Sequence, residues 1–172
     1  MYTPIDLEND FCKFLKTEIA DKVKLKGFDE VTKKEVYKKP QVVKGFILPK
    51  LNGTDENNEL PYICFRMNKI DVIEVDKKSY HKVDSTILIG CYCSGFNGNE
   101  SINDGSGYRD IWNVMETIRQ ALFNGTYKPK VLLQEKTFSA EMPEEQFYPI
   151  WEGKINVSFF MNIPEYNTGG II

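Results

Sequence analysis

Apolar residues recur at three- and four-residue steps through Ile5, Leu7, Phe11, Phe14, Leu15, Ile19 and Val23, which predicts a helix from about residue 5 to residue 25. Pro4 suits its start and Gly27 its end. The same spacing returns at Ile111, Val114, Met115, Ile118, Ala121 and Leu122, predicting a second helix over about residues 106–123. Trp112 widens its apolar side, and Asn124-Gly125 is a fitting stop. Elsewhere the period falls to two. Val83, Ser85, Ile87, Ile89, Cys91 and Cys93 share one side of a strand whose other side holds Thr86, Leu88 and Tyr92, so it is expected at the centre of a sheet. Over residues 150–163, Trp151, Gly153, Ile155, Val157, Phe159 and Met161 alternate with Glu152, Lys154, Asn156, Ser158 and Asn162.

Weaker signals fill in the rest. Residues 28–41 read as a polar connector with a weak strand near Glu35–Tyr37, followed by a short strand over 42–48. A strand over 62–67 is expected to reverse at 68–71 into another over 72–75, and 76–82 to form a charged linker. A further strand is expected over 130–141, joined to the last through 142–149. Residues 50–60 and 94–107 are rich in Asn and Gly and read as loops. The expected fold is α+β, a mixed but mainly antiparallel sheet of four to five strands flanked by two helices. One domain is expected over 1–172: a helical 1–27, a Lys-rich connector and loop over 28–60, the sheet and second helix over 60–164, and a frayed tail over 165–172.

Charge changes this picture locally. The formal net charge is −3, yet residues 22–50 hold nine lysines against three acids, a local +6. Such a run is a solvated face or a surface for phosphate or acidic partners. The N-terminal segment carries acids where a signal peptide has cations, and 87–93 is about a third of the roughly 20 residues a spanning helix needs. Neither secretion nor a membrane partner is expected. In a reducing compartment Cys12, Cys64, Cys91 and Cys93 are expected as core thiols. Cys91 and Cys93 leave their strand by one face, and Cys64 would join them in a thiolate cluster if it lay beside them on the next strand. A fourth ligand and CxxC-type turns for zinc are missing.

Catalytic chemistry is sparse. His81, the single histidine, has Ser79, Tyr80 and Asp84 nearby but no nucleophile elbow, and it reads as a loop histidine. The cysteines sit in apolar contexts that raise thiol pKa values. Asp55, Glu56 and Glu59, like Glu141, Glu144 and Glu145, read as solvated loop charge rather than Ca²⁺ or Mg²⁺ ligands. Gly105-Ser106-Gly107 is placed to meet an anion at a helix N-terminus but lacks a Walker lysine. No catalytic residue, cofactor or metal is therefore expected. Phe96, Phe147 and Tyr148 fall in loops, where aromatics either anchor protein contacts or fold back on the domain.

Four short motifs, in order, carry a family likeness: Leu60-Pro61-Tyr62-Ile63-Cys64-Phe65-Arg66; Ile87-Leu88-Ile89-Gly90-Cys91-Tyr92; Gly107-Tyr108-Arg109-Asp110-Ile111; and Phe147-Tyr148-Pro149-Ile150-Trp151-Glu152-Gly153. Over residues 60–164 the chain resembles the tail-terminator (tail-completion) proteins of long-tailed bacteriophages and related prophage particles. The Lys-rich stretch before residue 50 and the loop over 94–107 carry no motif of that family. The resemblance implies a non-enzymatic α+β subunit forming a ring, typically of six, on the end of the tail tube. That ring ends tube polymerisation and offers a surface for joining the DNA-filled head. It implies assembly in the host cytoplasm and residence in the virion tail, with copies of itself, the tail tube protein and a neck or head-completion protein as partners. Specific nucleic-acid recognition is not expected. A closed ring needs two different complementary patches on each subunit. The expected contacts with tube or neck are Asn52, Asp55 and Glu56 in one loop and Phe96, Asn97, Asn99, Asp104 and the adjoining Tyr108 in the other; Phe147, Tyr148 and the sheet edges would meet neighbouring subunits. The alternatives are a neck or head-closure protein of the same particle and a nucleic-acid-binding module using residues 22–50, whose affinity would fall steeply with salt. An enzyme is the least supported.

Overall fold

The period-two segments become the long strands of one sheet, and both amphipathic helices lie on a single face of it. The computed structural model describes residues 2–29, 31–46, 60–95, 105–127 and 130–163. Helix α1 spans Pro4–Phe14, with Pro4 in its first turn and Thr3 at the N-cap. The Asp6 amide donates to Thr3 Oγ1 at 3.2 Å, and the Thr3 amide donates to Asp6 Oδ2 at 2.8 Å, closing a capping box. Beyond Phe14 the helix widens into a π-helical turn over Leu15–Ala20 that keeps Leu15 and Ile19 fully buried.

The first helix is shorter than its apolar spacing predicts. Strand β1, Leu25–Asp29, begins at the expected helix end and pairs antiparallel with β2, Lys34–Lys38. Gly27 lies inside β1 rather than capping a helix. A Cβ there would stand 2.5 Å from the Leu60 carbonyl oxygen and 2.8 Å from Pro61 Cδ, so close packing, not helix termination, explains the glycine. Strand β3, Gln41–Lys44, runs parallel to β4, Tyr62–Val75.

The reversal expected at 68–71 is absent, because β4 continues through a bulge between Met67 and Lys69. The turn comes later, at Asp76 and Lys77, both with positive φ (51° and 62°), as a two-residue hairpin requires. Strand β5, Lys78–Tyr92, follows at once, so most of the expected linker is strand. Helix α2 spans Ser106–Phe123. The strand expected over 130–141 is broken into β6, Leu132–Leu133, a 3₁₀ turn at Glu135–Thr137, and β7, Ser139–Glu141. Strand β8, Ile150–Asn162, closes the fold.

Among the described residues, the main sheet has the order β3-β4-β5-β8-β6, with β7 also paired to β8, and β5 is central as its two apolar faces predict. This is an α+β fold with a mainly antiparallel sheet. Register places Ile63 and Phe65, Ile87 and Ile89, and Gly153 and Ile155 on one face. Phe11 of α1 is the hub of the core there, with ring centroids 4.5 Å from Phe65, 5.1 Å from Phe159 and 5.3 Å from Tyr127. Helix α2 lies over Gly153, whose missing side chain leaves room for Ile111 and for Met115 Sδ, 3.0 Å from where a Cβ would stand.

The opposite face is bound by polar side chains that cross three strands. Asn68 Nδ2 donates to Thr86 Oγ1 at 2.6 Å, Thr86 Oγ1 donates to Asn156 Oδ1 at 3.1 Å, and Ser158 Oγ donates to Asp84 Oδ1 at 2.5 Å. Further along this face the Tyr62 hydroxyl passes over Gly90 and donates to Glu152, joining β4 to β8 across the central strand.

Candidate functional site

Three of the four motif segments meet through that tyrosine: Tyr62 in β4, Gly90 in β5 and Glu152 in β8. The fourth docks on the other face of the same β8 segment, for the Trp151 ring packs on Gly107 of α2, where a Cβ would stand 2.7 Å from Trp151 Cγ. The Trp151 indole N–H donates to the Cys93 carbonyl at 2.9 Å, tying the start of β8 to the end of β5. This end of the molecule presents Tyr108 (49% exposed), Phe147 (77%) and Tyr148 (51%) to solvent. Tyr148 is held there by its hydroxyl, which donates to the Ser94 carbonyl at 2.9 Å. Phe147 and Tyr148 thus lie outside regular structure, as their sequence context predicts, and Tyr108 sits in the first turn of α2. The other expected contact residues, Asn52, Asp55, Glu56, Phe96, Asn97, Asn99 and Asp104, lie outside the described residues.

Behind these aromatics is a polar joint that the sequence does not announce. Lys26 Nζ of β1 donates to Ser106 Oγ of α2 at 3.2 Å and to Cys93 Sγ at 3.5 Å, and Cys93 Sγ lies 3.0 Å from Ser106 Oγ. Glu35 of β2 stands 3.8 Å from Lys26 and accepts the Ser94 amide at 2.6 Å. Burial pulls the Lys26 pKa down, but Cys93, Tyr37 and Glu35 more than reverse this and hold the ammonium form. The partners are 67 and 13 residues apart in sequence from Cys93, which is why no local motif marks them. Ser106 therefore sits against a lysine at the start of α2, where sequence offered only a glycine-flanked helix N-terminus.

Structure disperses the catalytic candidates. His81 lies within β5, not in a loop, and alternation puts it with Ser79 on one face while Tyr80 and Asp84 project from the other. Asp84 is turned away from the imidazole, with Ser158 and Lys82 as partners. Cys64 does lie on the strand beside β5, but it pairs with Leu88, on the face opposite Cys91 and Cys93, so the three thiols cannot converge. All four cysteines are buried and free, and burial pushes the Cys12 and Cys91 thiols up to about 12. Glu141 pairs with Lys154 at 3.0 Å, and among the described residues no three His, Cys, Asp or Glu side chains gather as metal ligands. Of the lysines in 22–50, Lys22, Lys26, Lys38, Lys39 and Lys44 are each bonded to an acceptor of the protein itself. Among the described residues no helix is long and apolar enough to cross a membrane.

A second exposed apolar region lies at the far end of the β4–β5 hairpin, where Ile70 (47%), Val72 (67%) and Val75 (48%) face solvent. No protein-family model and no curated protein sequence matches the chain.

Proposed function

We propose that the protein is a structural subunit of a phage-tail-like particle that forms a ring on the end of the tail tube, ends tube growth and provides the head-joining surface. The observation that carries this reading is that the four tail-terminator-like motif segments meet at one end of the sheet, Tyr62, Gly90 and Glu152 on one face and Gly107 with Trp151 on the other, with Tyr108, Phe147 and Tyr148 exposed at that end. Large aromatics held at an exposed surface suit the centre of a protein contact. Dispersal of His81, Asp84 and the cysteines argues against turnover chemistry, and engagement of five lysines within the Lys-rich segment weakens the nucleic-acid alternative.

The test is electron microscopy and native mass spectrometry of the pure protein with and without tubes assembled from a long-tailed-phage tail tube protein. Rings on tube ends, with tube length limited in proportion to added subunit, are expected, and Phe147→Ala should weaken them without changing the melting temperature. Tubes that grow unchanged while the protein co-sediments with filled heads would transfer the assignment to a neck protein.

A further inference from the structure

The joint of Lys26, Cys93 and Ser106 holds two nucleophiles, a thiol and an amine, in contact inside the protein. Cys93 Sγ lies 3.5 Å from Lys26 Nζ and 3.0 Å from Ser106 Oγ, and Lys26 Nζ lies 3.2 Å from the same hydroxyl, so the three atoms form a closed triangle. Among the described residues no other cysteine sulfur has a lysine nitrogen within hydrogen-bond distance. We propose that hydrogen peroxide converts this contact into a sulfenamide between Cys93 Sγ and Lys26 Nζ, a reversible covalent link from β1 to the residue that follows β5.

The chemistry balances on these side chains and one peroxide molecule. The Cys93 thiolate attacks one peroxide oxygen, the O–O bond breaks, and the departing hydroxide takes a proton from the Lys26 ammonium and leaves as water. Sulfur is thereby oxidised by two electrons to a sulfenic acid, and the peroxide is reduced by two. The neutral amine then attacks that sulfur, an S–N bond replaces the S–O bond, and the second hydroxide leaves as water with a proton from the nitrogen. Ser106 Oγ stands beside both reacting atoms, placed to donate to the departing oxygen. Burial by itself favours the neutral amine, and contact with Cys93, Tyr37 and Glu35 is what keeps Lys26 charged. Oxidation of the sulfur to an uncharged acid removes the first of those contacts, so burial then favours the amine that the second step needs. The Lys26 side chain keeps 18% of its exposure, which gives an oxidant little larger than water a way in that bulky disulfide reagents lack. Cys93 adjoins Ser94, whose carbonyl holds the Tyr148 hydroxyl, so the link stiffens the footing of the exposed aromatics.

The link depends on three side chains and stands whether or not the protein caps tubes. The test is intact-mass measurement and non-reducing peptide mapping of the full chain after mild hydrogen peroxide treatment. Expected is a product lighter by two hydrogens, in which the peptides holding Lys26 and Cys93 are joined, and which a thiol reductant returns to its original mass. That product should also melt several degrees higher, because the link ties together residues 67 apart in sequence. Lys26→Arg keeps the positive charge without the amine, so it should stop at a sulfenic acid on Cys93, one oxygen heavier and captured by dimedone. Circular dichroism checks the fold of the variant, and the peptide map of the native chain decides the matter even if that fold is lost. A native chain whose Cys93 is untouched, or is oxidised with Lys26 left free, overturns the proposal. So does a loss of two hydrogens that persists in Lys26→Arg, since that product would be a disulfide.

Discussion

Gly90 lets Tyr62 bridge the outer strands, and replacing it with alanine tests how much that crossing contributes. An alanine methyl would stand 2.6 Å from Tyr62 Cε1 and 2.7 Å from its hydroxyl oxygen, where carbon contacts normally settle at about 3.5–4.0 Å. The ring therefore has to retreat by roughly 1 Å. Tyr62 is only 6% exposed, so it cannot swing freely into solvent. Overpacking of this kind costs about 1–3 kcal/mol. Displacing the hydroxyl also loses a hydrogen bond to the Glu152 carboxylate, worth about 1.5–3 kcal/mol. Alanine returns about 0.5–1 kcal/mol over glycine within a strand. Gly90→Ala should thus destabilise by roughly 2–5 kcal/mol, a large part of the about 5–15 kcal/mol that holds a domain folded. The assay is urea denaturation followed by circular dichroism in a double-mutant cycle with Tyr62→Val, which removes the ring. In that background Gly90→Ala should become neutral or slightly stabilising. An equal cost in both backgrounds, or no cost in the native sequence, would refute the argument that Gly90 exists to admit the tyrosine.

Phe11→Ala, measured the same way, should cost about 3–5 kcal/mol, because Phe11 is fully buried among Phe65, Phe159 and Tyr127. Burial pushes the Asp84 pKa up, but hydrogen bonds from Ser158 and Lys82 outweigh it and hold the carboxyl below its ordinary value. Asp84 therefore contributes stability above the unfolded carboxylate pKa near 3.9, and that stability is lost as pH falls through the lower folded value. Asp84→Asn should accordingly flatten the fall in melting temperature below about pH 4. At pH 8 a disulfide reagent should label the four buried cysteines only when denaturant is present. Rapid labelling in the native state would show that Cys93 or its neighbours open to solvent.

Long periodic segments were readable from sequence because burial of one side dominates their energy. Helix α2 and strand β8 follow the positions that Ile111 to Leu122 and Trp151 to Met161 mark out. Where a second effect competes, spacing misleads. Val23 continues the helical period of α1, yet Leu25 begins a strand because Gly27 must lie against the Leu60 carbonyl, a contact with residues far away in sequence. Asn68 looks like a turn residue and serves as the extra residue of a bulge, while the real turn uses Asp76 and Lys77 in left-handed conformations where glycine or asparagine would have advertised it. At the candidate site, the placement of Phe147 and Tyr148 was legible from their polar, proline-flanked context. The Lys26, Cys93 and Ser106 joint was not, because it depends on three elements meeting in space.

That joint also governs what protein engineering can do here. Cys93 and Ser106 lie side by side, so the two ends of the intervening stretch are already brought together by the rest of the chain. Lengthening a closed loop adds only about 0.6 kcal/mol for each doubling. A peptide inserted between residues 97 and 103 should therefore leave the melting temperature of the scaffold nearly unchanged.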